Sequence, residues 1–238
     1  IPAKNRLADF PHYLMHRAEQ LDNLYIFKNT EGTPENIRKF HPNIIVSSTG
    51  SAPLLPPIAG LKDRIDNENH NIYSILGMIS HINDFPKDLE GKKVVVVGGG
   101  AVGLDVVEFF ADRNADISIV EMMDQIGRDL DPVSKNDTKT MMKKHNVHQL
   151  TKTALLEVKD SSFLVRGDGE PYELPFEYGF VCLGMRAQGQ LYQNLTEEFS
   201  SEDVEIMNIG DSQRARRIID GTQEGRNILT ILEQKGYL

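Results

Sequence analysis

The hydrophobic residues of this chain follow two patterns, compact apolar runs and apolar residues repeated every three or four positions. Val94 to Val97 is the most continuous run, and Ile117 to Val120 is a second one. Runs of this kind, rich in β-branched residues, are typical of strands that are buried on both faces of a parallel sheet. Further strands are predicted at 24–27, 43–47, 176–183 and 204–209.

Apolar positions at helical spacing predict a second set of elements. These helices are predicted at 11–22, 104–114, 132–145 and 218–234, with weaker signals at 73–78 and 80–85. Thr33 before Pro34 and Asp131 before Pro132 are typical caps of a helix N-terminus, so a short helix is also expected after Thr33. Residues 186–202 are polar and are interpreted as a loop.

Three alternating segments predict an antiparallel meander at 153–159, 162–166 and 171–174, with a turn at Gly167-Asp168-Gly169 between the last two. The order of elements is therefore strand, helix, strand, helix, meander, strand. This order predicts an α/β fold in which right-handed crossovers place helices against a parallel sheet.

Acidic residues outnumber basic ones, 35 against 26, and the net charge of the 238 residues is −9. A negative surface repels phosphate backbones, so no nucleic-acid partner is expected, and a phosphorylated ligand needs backbone amides or a helix N-terminus. Because no apolar stretch reaches membrane-spanning length and no signal peptide is recognisable, we expect a cytoplasmic protein with no membrane segment.

The cysteine and histidine residues of this chain form no recognisable metal-binding motif. Cys182 is the single cysteine and lies in an apolar run, so it is interpreted as a buried small side chain and not as half of a redox disulfide. His12 and His16 are spaced for one helix face, but no carboxylate between them completes a zinc motif. We therefore predict no metal.

A glycine-rich turn follows the four valines directly and opens the next predicted helix. Its sequence is Gly98-Gly99-Gly100-Ala101-Val102-Gly103. In a dinucleotide-binding unit, the first of the spaced glycines allows the tight turn, the second lets the pyrophosphate approach the backbone, and the third lets the helix pack against the strand. This context predicts a Rossmann-type site for NAD; the alternative is a glycine turn that binds no ligand.

Glu121 ends the next strand, 23 residues after Gly98, where dinucleotide-binding units carry an acid that binds the ribose. A carboxylate there repels a 2′-phosphate, which favours NADH over NADPH. NADPH is the alternative if the loop that carries Arg128 folds back, because Arg128 could then balance the charge of the 2′-phosphate. The other reading of Glu121 is a solvated charge at the end of a strand.

These residues resemble those of the 2,4-dienoyl-CoA reductase and enoate reductase family, a group that includes trimethylamine dehydrogenase. The similarity lies in four ordered motifs that span nearly the whole chain, at 44–60, 94–130, 181–186 and 206–225. It implies a Rossmann-like three-layer NAD(P)-binding domain inserted in an incomplete FAD-binding domain of the pyridine nucleotide-disulfide reductase type.

The resemblance also implies roles for individual residues. Thr49, Gly50, Gly210 and Asp211 match flavin motifs, and Asp211 would bind the ribityl chain of FAD. Gly184 matches the strand end that lies beside NAD. Asp105 stands where relatives often carry Glu, close to the nicotinamide; the alternative is a first-turn acid that the helix dipole favours.

Relatives in this family are modular, and the resemblance implies that FMN and an iron–sulfur cluster belong to a flavin barrel outside this chain. The implied domains are a partial FAD-binding domain at 1–62 and 204–238, an NAD(P)-binding domain at 63–190 and a connecting loop at 191–203. No glycine turn for the FAD pyrophosphate precedes residue 91. We therefore expect a piece of a longer polypeptide that does not retain FAD tightly and has little or no activity alone.

Two functions follow. The first is an NAD(P)H:flavin oxidoreductase module that passes hydride from NADH to FAD, for reduction of an activated C=C bond elsewhere in the parent. The second is a non-catalytic module that binds ADP or NAD structurally, as in a trimethylamine dehydrogenase-like protein. The expected partners are the nicotinamide dinucleotide and the rest of the parent polypeptide. Assembly into a homo-oligomer is a further alternative.

Overall fold

The structure, a computed structural model, describes residues 2–237. Within this range the α-helices are α1 (Asp9–Ala18), α2 (Pro34–Arg38), α3 (Leu61–Arg64), α4 (Ile75–Ser80), α5 (Ala101–Ala111), α6 (Pro132–Lys144), α7 (Gln190–Glu198) and α8 (Ile218–Gln234). The strands are β1 (Ile44–Ser47), β2 (Ser51–Pro53), β3 (Ile72–Tyr73), β4 (Lys93–Val97), β5 (Asp116–Val120), β6 (His148–Leu150), β7 (Ala154–Val158), β8 (Ser162–Arg166), β9 (Tyr172–Pro175), β10 (Tyr178–Val181), β11 (Met185–Ala187) and β12 (Glu205–Asn208). Short 3-10 helices occupy Pro2–Ala8 and Gly210–Ser212.

The chain divides into two compact units. The first comprises Pro53–Gly184 with the N-terminal residues up to His12, and the second comprises Tyr13–Ala52 and the residues from Met185 onward. The predicted boundaries of the NAD(P)-binding domain, 63–190, differ from those of the first unit by several residues at each end. Which cofactor each unit binds stays a prediction.

The first unit is built on a five-stranded parallel sheet with the order β3-β10-β4-β5-β6. Strand β4 lies at its centre, between β10 and β5. Val94 and Val96 face one hydrophobic core, and Val95 and Val97 face the other. A central parallel strand is covered on both faces, which is why its sequence is continuously apolar.

Two different layers cover this sheet. On one face, Phe85 and Phe180 pack against Phe110 of α5, and these three rings lie edge-on or tilted to one another. On the other face, Phe163 and Val165 of the antiparallel meander β7-β8-β9 pack against the sheet. The predicted three-layer α/β architecture is confirmed.

The second unit contains the parallel pair β1 and β12, in register from Ile44 with Glu205 to Ser47 with Asn208. Helix α7 packs beside it, where Leu195 and Phe199 share a small core with Ile45.

The loop interpretation of 186–202, and with it the connecting loop at 191–203, is wrong over most of its length, because α7 runs from Gln190 to Glu198. Leu191, Leu195 and Phe199 recur every fourth residue and face the core of the second unit. The surrounding polar residues hid this single apolar stripe. One apolar face is enough to form a helix when a core lies beside it.

The other differences are local. Residues 24–27 form no strand; their large apolar side chains are exposed and the segment pairs with no other strand. The first long helix is α1, which begins at Asp9 and ends at Ala18, earlier than the predicted 11–22. Among the described residues, no helix combines the length and the apolar character needed to cross a membrane.

Candidate functional site

Gly98 directly follows β4 and has φ of +110°, a backbone conformation that residues with a side chain rarely adopt. Its amide donates a hydrogen bond to the carbonyl oxygen of Val120 at 2.8 Å, so it is still tied to the neighbouring strand. A Cβ at this position would overlap the carbonyl oxygen of Cys182 on the other side. Only glycine fits a turn that is enclosed by both neighbouring strands.

Gly103 lies in the first turn of α5, against this glycine turn. A Cβ on Gly103 would overlap the carbonyl oxygen of Gly98 and would also approach Val96. The close approach of α5 to the end of β4 therefore depends on two glycines, as predicted for the first and third positions of the fingerprint.

Gly100 differs from these two glycines, because nothing in the protein occupies the space beside it. It is exposed, and a Cβ would meet no atom within 4 Å. Gly100 is the N-cap of α5 and offers no side chain to the amides of the first turn, which begins with Ala101 and Val102. Amides in the first turn have no acceptor within their own helix, so they face outward at the positive end of the helix dipole. Asp131, by contrast, caps α6 with its own carboxylate.

Glu121 follows β5 and reaches towards the glycine turn. Its Oε2 accepts a hydrogen bond from the amide of Gly99 at 2.6 Å, and its Oε1 accepts one from the amide of Met123 at 2.7 Å. A carboxylate has about four acceptor positions. The carboxylate of the half-buried Glu121 is therefore held in one orientation and can still accept further hydrogen bonds.

Gly184 follows β10 along the same edge of the sheet. The amide of Cys182 donates to the carbonyl of Val97 at 2.7 Å, which places the end of β10 beside the end of β4. Gly184 is exposed, has φ of +103° and has open space beside it. The sheet thus gathers Gly98, Gly184 and Glu121 at the carboxyl ends of adjacent strands, where open parallel sheets bind ligands.

Asp105 is a half-exposed residue of α5, and its carboxylate forms an ion pair with Lys4. The ammonium group of Lys4 also lies 3.6 Å from the carboxylate of Glu108. Partial burial works to lower the pKa of Lys4, but its hydrogen bond to Asp105 and the two negative charges outweigh that effect and raise the pKa. Sequence reasoning missed Lys4, because no local pattern links residues so far apart in the chain.

In the second unit, the residues assigned to the flavin motifs lie just beyond the paired ends of β1 and β12. Gly210 has φ of +65°, and the carboxylate of Asp211 accepts hydrogen bonds from the Ser51 hydroxyl at 3.0 Å and the Arg216 amide at 3.1 Å. Thr49 donates its hydroxyl hydrogen to the carbonyl of Gln188 at 2.6 Å, and Gly50 has φ of +77°. A fixed carboxylate beside open glycine backbone suits the hydroxyl groups of a ribityl chain.

Cys182 lies beneath the glycine turn and is buried. Burial, with a smaller contribution from the negative charge of Asp105, raises the pKa of its thiol to about 12. A thiol with this pKa carries almost no thiolate at neutral pH and is a poor nucleophile. Among the described residues, no cluster of three or more His, Cys, Asp or Glu side chains is placed to bind a metal ion.

Comparison with known proteins places this geometry in a family. A model of the pyridine nucleotide-disulphide oxidoreductases matches residues 17–207. A metal reductase of Desulforamulus reducens is 26% identical over 92% of this chain and 36% of its own length. An NADH oxidase of Thermoanaerobacter brockii is 26% identical over 80% of this chain and 28% of its own. A cinnamate reductase of Clostridium sporogenes is 21% identical over 80% of this chain and 27% of its own.

The fold also matches that of a solved 2-naphthoyl-CoA reductase, with a TM-score of 0.76, 21% sequence identity and coverage of 93% of this chain and 31% of the other. The chain spans about a third of the length of these proteins. The family match and the cinnamate reductase relative confirm the resemblance to the 2,4-dienoyl-CoA reductase and enoate reductase group. The chain belongs to the pyridine nucleotide-disulphide oxidoreductase family, so the prediction of an oxidoreductase family is confirmed.

Proposed function

We propose that this chain is the NADH-binding module of a flavin-dependent oxidoreductase. One observation carries the proposal: the open backbone at Gly100, at the uncapped start of α5, lies beside the fixed carboxylate of Glu121. Amides at the positive end of a helix suit a diphosphate, and an acid at the neighbouring strand end suits a ribose. Ala101 and Val102 would complete the diphosphate site, and Gly184 would border the other half of the dinucleotide.

NADH is favoured over NADPH. Glu121 would accept the ribose hydroxyls with the lone pairs that its bonds to Gly99 and Met123 leave free. A 2′-phosphate would instead face this carboxylate at close range, where like charges repel. Arg128 is exposed on the following loop, and its positive charge could offset the repulsion between Glu121 and the 2′-phosphate of NADPH.

The second unit would hold FAD through Thr49, Gly50, Gly210 and Asp211 once the rest of the parent protein is present. In that parent, the chemistry that a bound nicotinamide would supply is the transfer of a hydride to the flavin. Asp105 would lie near the nicotinamide, with Lys4 balancing its charge. The final acceptor would be an activated C=C bond of the enoate or dienoyl-CoA type, reduced in the flavin barrel, where FMN and an iron–sulfur cluster also belong. The name of the cinnamate reductase relative supports this class of substrate.

The binding proposal is tested by titrating the purified chain with NADH, beside a Gly100→Ala variant. Gly100 has φ of −78°, and its added methyl group would meet no protein atom. Folding should therefore be unchanged, while a bound diphosphate loses the space it needs and the Kd rises by about tenfold, or roughly 1.4 kcal/mol. Gly169→Ala, at an exposed turn that also has open space, is the matched control. Equal NADH affinity in all three proteins would contradict the proposed site.

Hydride transfer is tested separately, by adding FAD and an artificial electron acceptor to the chain and following NADH oxidation. Dye reduction that depends on FAD supports the oxidoreductase module. Tight binding of ADP and NADH with no dye reduction, repeated in the full-length parent, would favour the non-catalytic nucleotide-binding module instead.

A further inference from the structure

A glycine outside the fingerprint contacts the glycine turn directly. Gly127 is buried in the loop between β5 and α6, and its amide donates a hydrogen bond to the carbonyl oxygen of Gly99 at 2.7 Å. Its φ is +67°, and its carbonyl accepts a hydrogen bond from Leu130 at 3.1 Å, which closes a tight turn. No sequence pattern singled out this residue.

This hydrogen bond fixes the direction of one peptide group. The carbonyl of Gly99 and the amide of Gly100 belong to the same planar trans peptide, so they point in opposite directions. Because Gly127 holds the carbonyl on one side, the amide hydrogen of Gly100 must point to the other side. Within the described chain, no protein acceptor is recorded for the Gly100 amide, and no protein atom fills the space beside this residue.

Gly99 is therefore held at both of its peptide groups. Glu121 accepts from its amide, and Gly127 donates to its carbonyl. The two contacts come from the first residue and from the middle of the same loop, which joins β5 to α6. Together they prevent the peptide between Gly99 and Gly100 from rotating, a motion that would turn the Gly100 amide away from the open side.

We propose that Gly127 is a positioning residue that aims the Gly100 amide at the diphosphate of the bound nucleotide. This inference rests on the proposed function, since it assumes that a diphosphate binds at Gly100. The positive φ at position 127 excludes β-branched side chains, which rarely adopt it. A Cβ there would lie 3.1 Å from Leu130 Cδ1, the flexible end of a side chain that can shift to admit it. Asn tolerates the left-handed conformation and keeps its amide hydrogen.

The test compares Gly127→Val with Gly127→Asn and with Gly91→Val. Gly91 is also a left-handed glycine of the first unit, with φ of +73° and open space beside it, but it precedes β4 at the opposite end of the strand from the glycine turn. The dissociation constants of NADH and ADP are measured for each variant, with adenosine as a probe that has the ribose but no phosphate. The melting temperature of each variant is recorded in parallel.

We expect Gly127→Val to weaken NADH and ADP binding by about tenfold relative to Gly91→Val, the loss typical of one hydrogen bond to a charged group. Gly127→Asn should bind nearly as the unchanged chain does, and adenosine binding should change little in all variants. If Gly127→Val binds ADP as tightly as Gly91→Val, the positioning role is refuted while the proposed function stands. If the unchanged chain binds neither NADH nor ADP, the proposed function itself fails.

A measurement on the unchanged chain keeps the inference testable if Gly127→Val does not fold. The amide resonance of Gly100 in a 1H–15N spectrum should move strongly when ADP is added, since a new acceptor approaches it, and should move little with adenosine. A Gly100 resonance that is insensitive to saturating ADP would overturn the inference.

Discussion

The Oε2 atom of Glu121 lies 2.6 Å from the amide nitrogen of Gly99, so the end of β5 is bonded to the turn that follows β4. The second oxygen of the same carboxylate accepts from Met123 at 2.7 Å. Glu121 therefore holds the glycine turn through its own hydrogen bonds. Its role in holding the turn and its proposed role in recognising the ribose depend on the same group.

Replacement of Glu121 by Ala is expected to weaken NADH binding by about tenfold or more, since it removes both the proposed ribose contact and one support of the turn. The preference for NADH over NADPH should shrink at the same time, because the charge that repels a 2′-phosphate is gone. Binding of both nucleotides is measured by fluorescence titration. Asp116→Ala, an exposed acid at the other end of the same strand, is the control that should change neither constant.

Gly103→Ala is expected to destabilise the first unit by about 1–3 kcal/mol, the usual cost of overpacking, because its methyl group would overlap the carbonyl oxygen of Gly98. Gly100→Ala should cost less, at most about 1 kcal/mol, since alanine is a poorer N-cap than glycine but its methyl group would meet no protein atom. Urea unfolding of the two variants measures this difference. A Gly103→Ala variant as stable as Gly100→Ala would contradict the close packing of α5 against the turn.

Phe110→Ala should lower the free energy of unfolding by about 3–5 kcal/mol, as expected for a fully buried aromatic side chain. Phe110 packs edge-on against Phe85 and at a tilt against Phe180 in the core between α5 and the sheet. Phe40→Ala, which alters a ring that is 63% exposed, should cost far less. Equal losses in the two variants, measured by thermal and chemical unfolding, would show that the aromatic core is not the main support of the first unit.

Cys182 should resist thiol reagents in the folded chain at pH 8, because its pKa is raised to about 12 and its side chain is buried. In the unfolded chain the thiol returns to an ordinary pKa and reacts. Since a raised pKa stabilises the folded state only below the unfolded value, this contribution is lost as pH rises from about 9 towards 12. The rate of reaction with an aromatic disulfide reagent, with and without denaturant, checks the first point. A fast reaction in the native chain would contradict the buried position.

The chain alone is expected to lose FAD on purification. Its proposed flavin motifs would contact only the ribityl chain, whereas no glycine turn for a second pyrophosphate precedes residue 91 in the sequence. The measurement is the absorbance spectrum of flavin released by heating the desalted chain after incubation with FAD. One mole of flavin per mole of chain would disprove this prediction.

The sequence by itself determined the elements whose cause is local. Four consecutive valines specify a buried strand, the glycines after them specify the turn, and Glu121 follows at the expected distance. Helix α8 begins at Ile218 and ends at Gln234 as its apolar spacing predicts. In these segments the periodicity, the caps and the turn residues all favour the same structure, so neighbouring residues are enough to predict it.

Only the tertiary structure decided the features that join distant parts of the chain. Helix α7 depends on a core that Ile45 supplies, and Lys4 meets Asp105 across a separation that no pattern encodes. The hydrogen bonds of Gly99 with Glu121 and Gly127 exist because the parallel sheet brings the ends of β4 and β5 together. Such contacts arise from packing and not from local conformational preference. For that reason the sequence identified the glycines of the proposed nucleotide site, but only the fold showed how they are held.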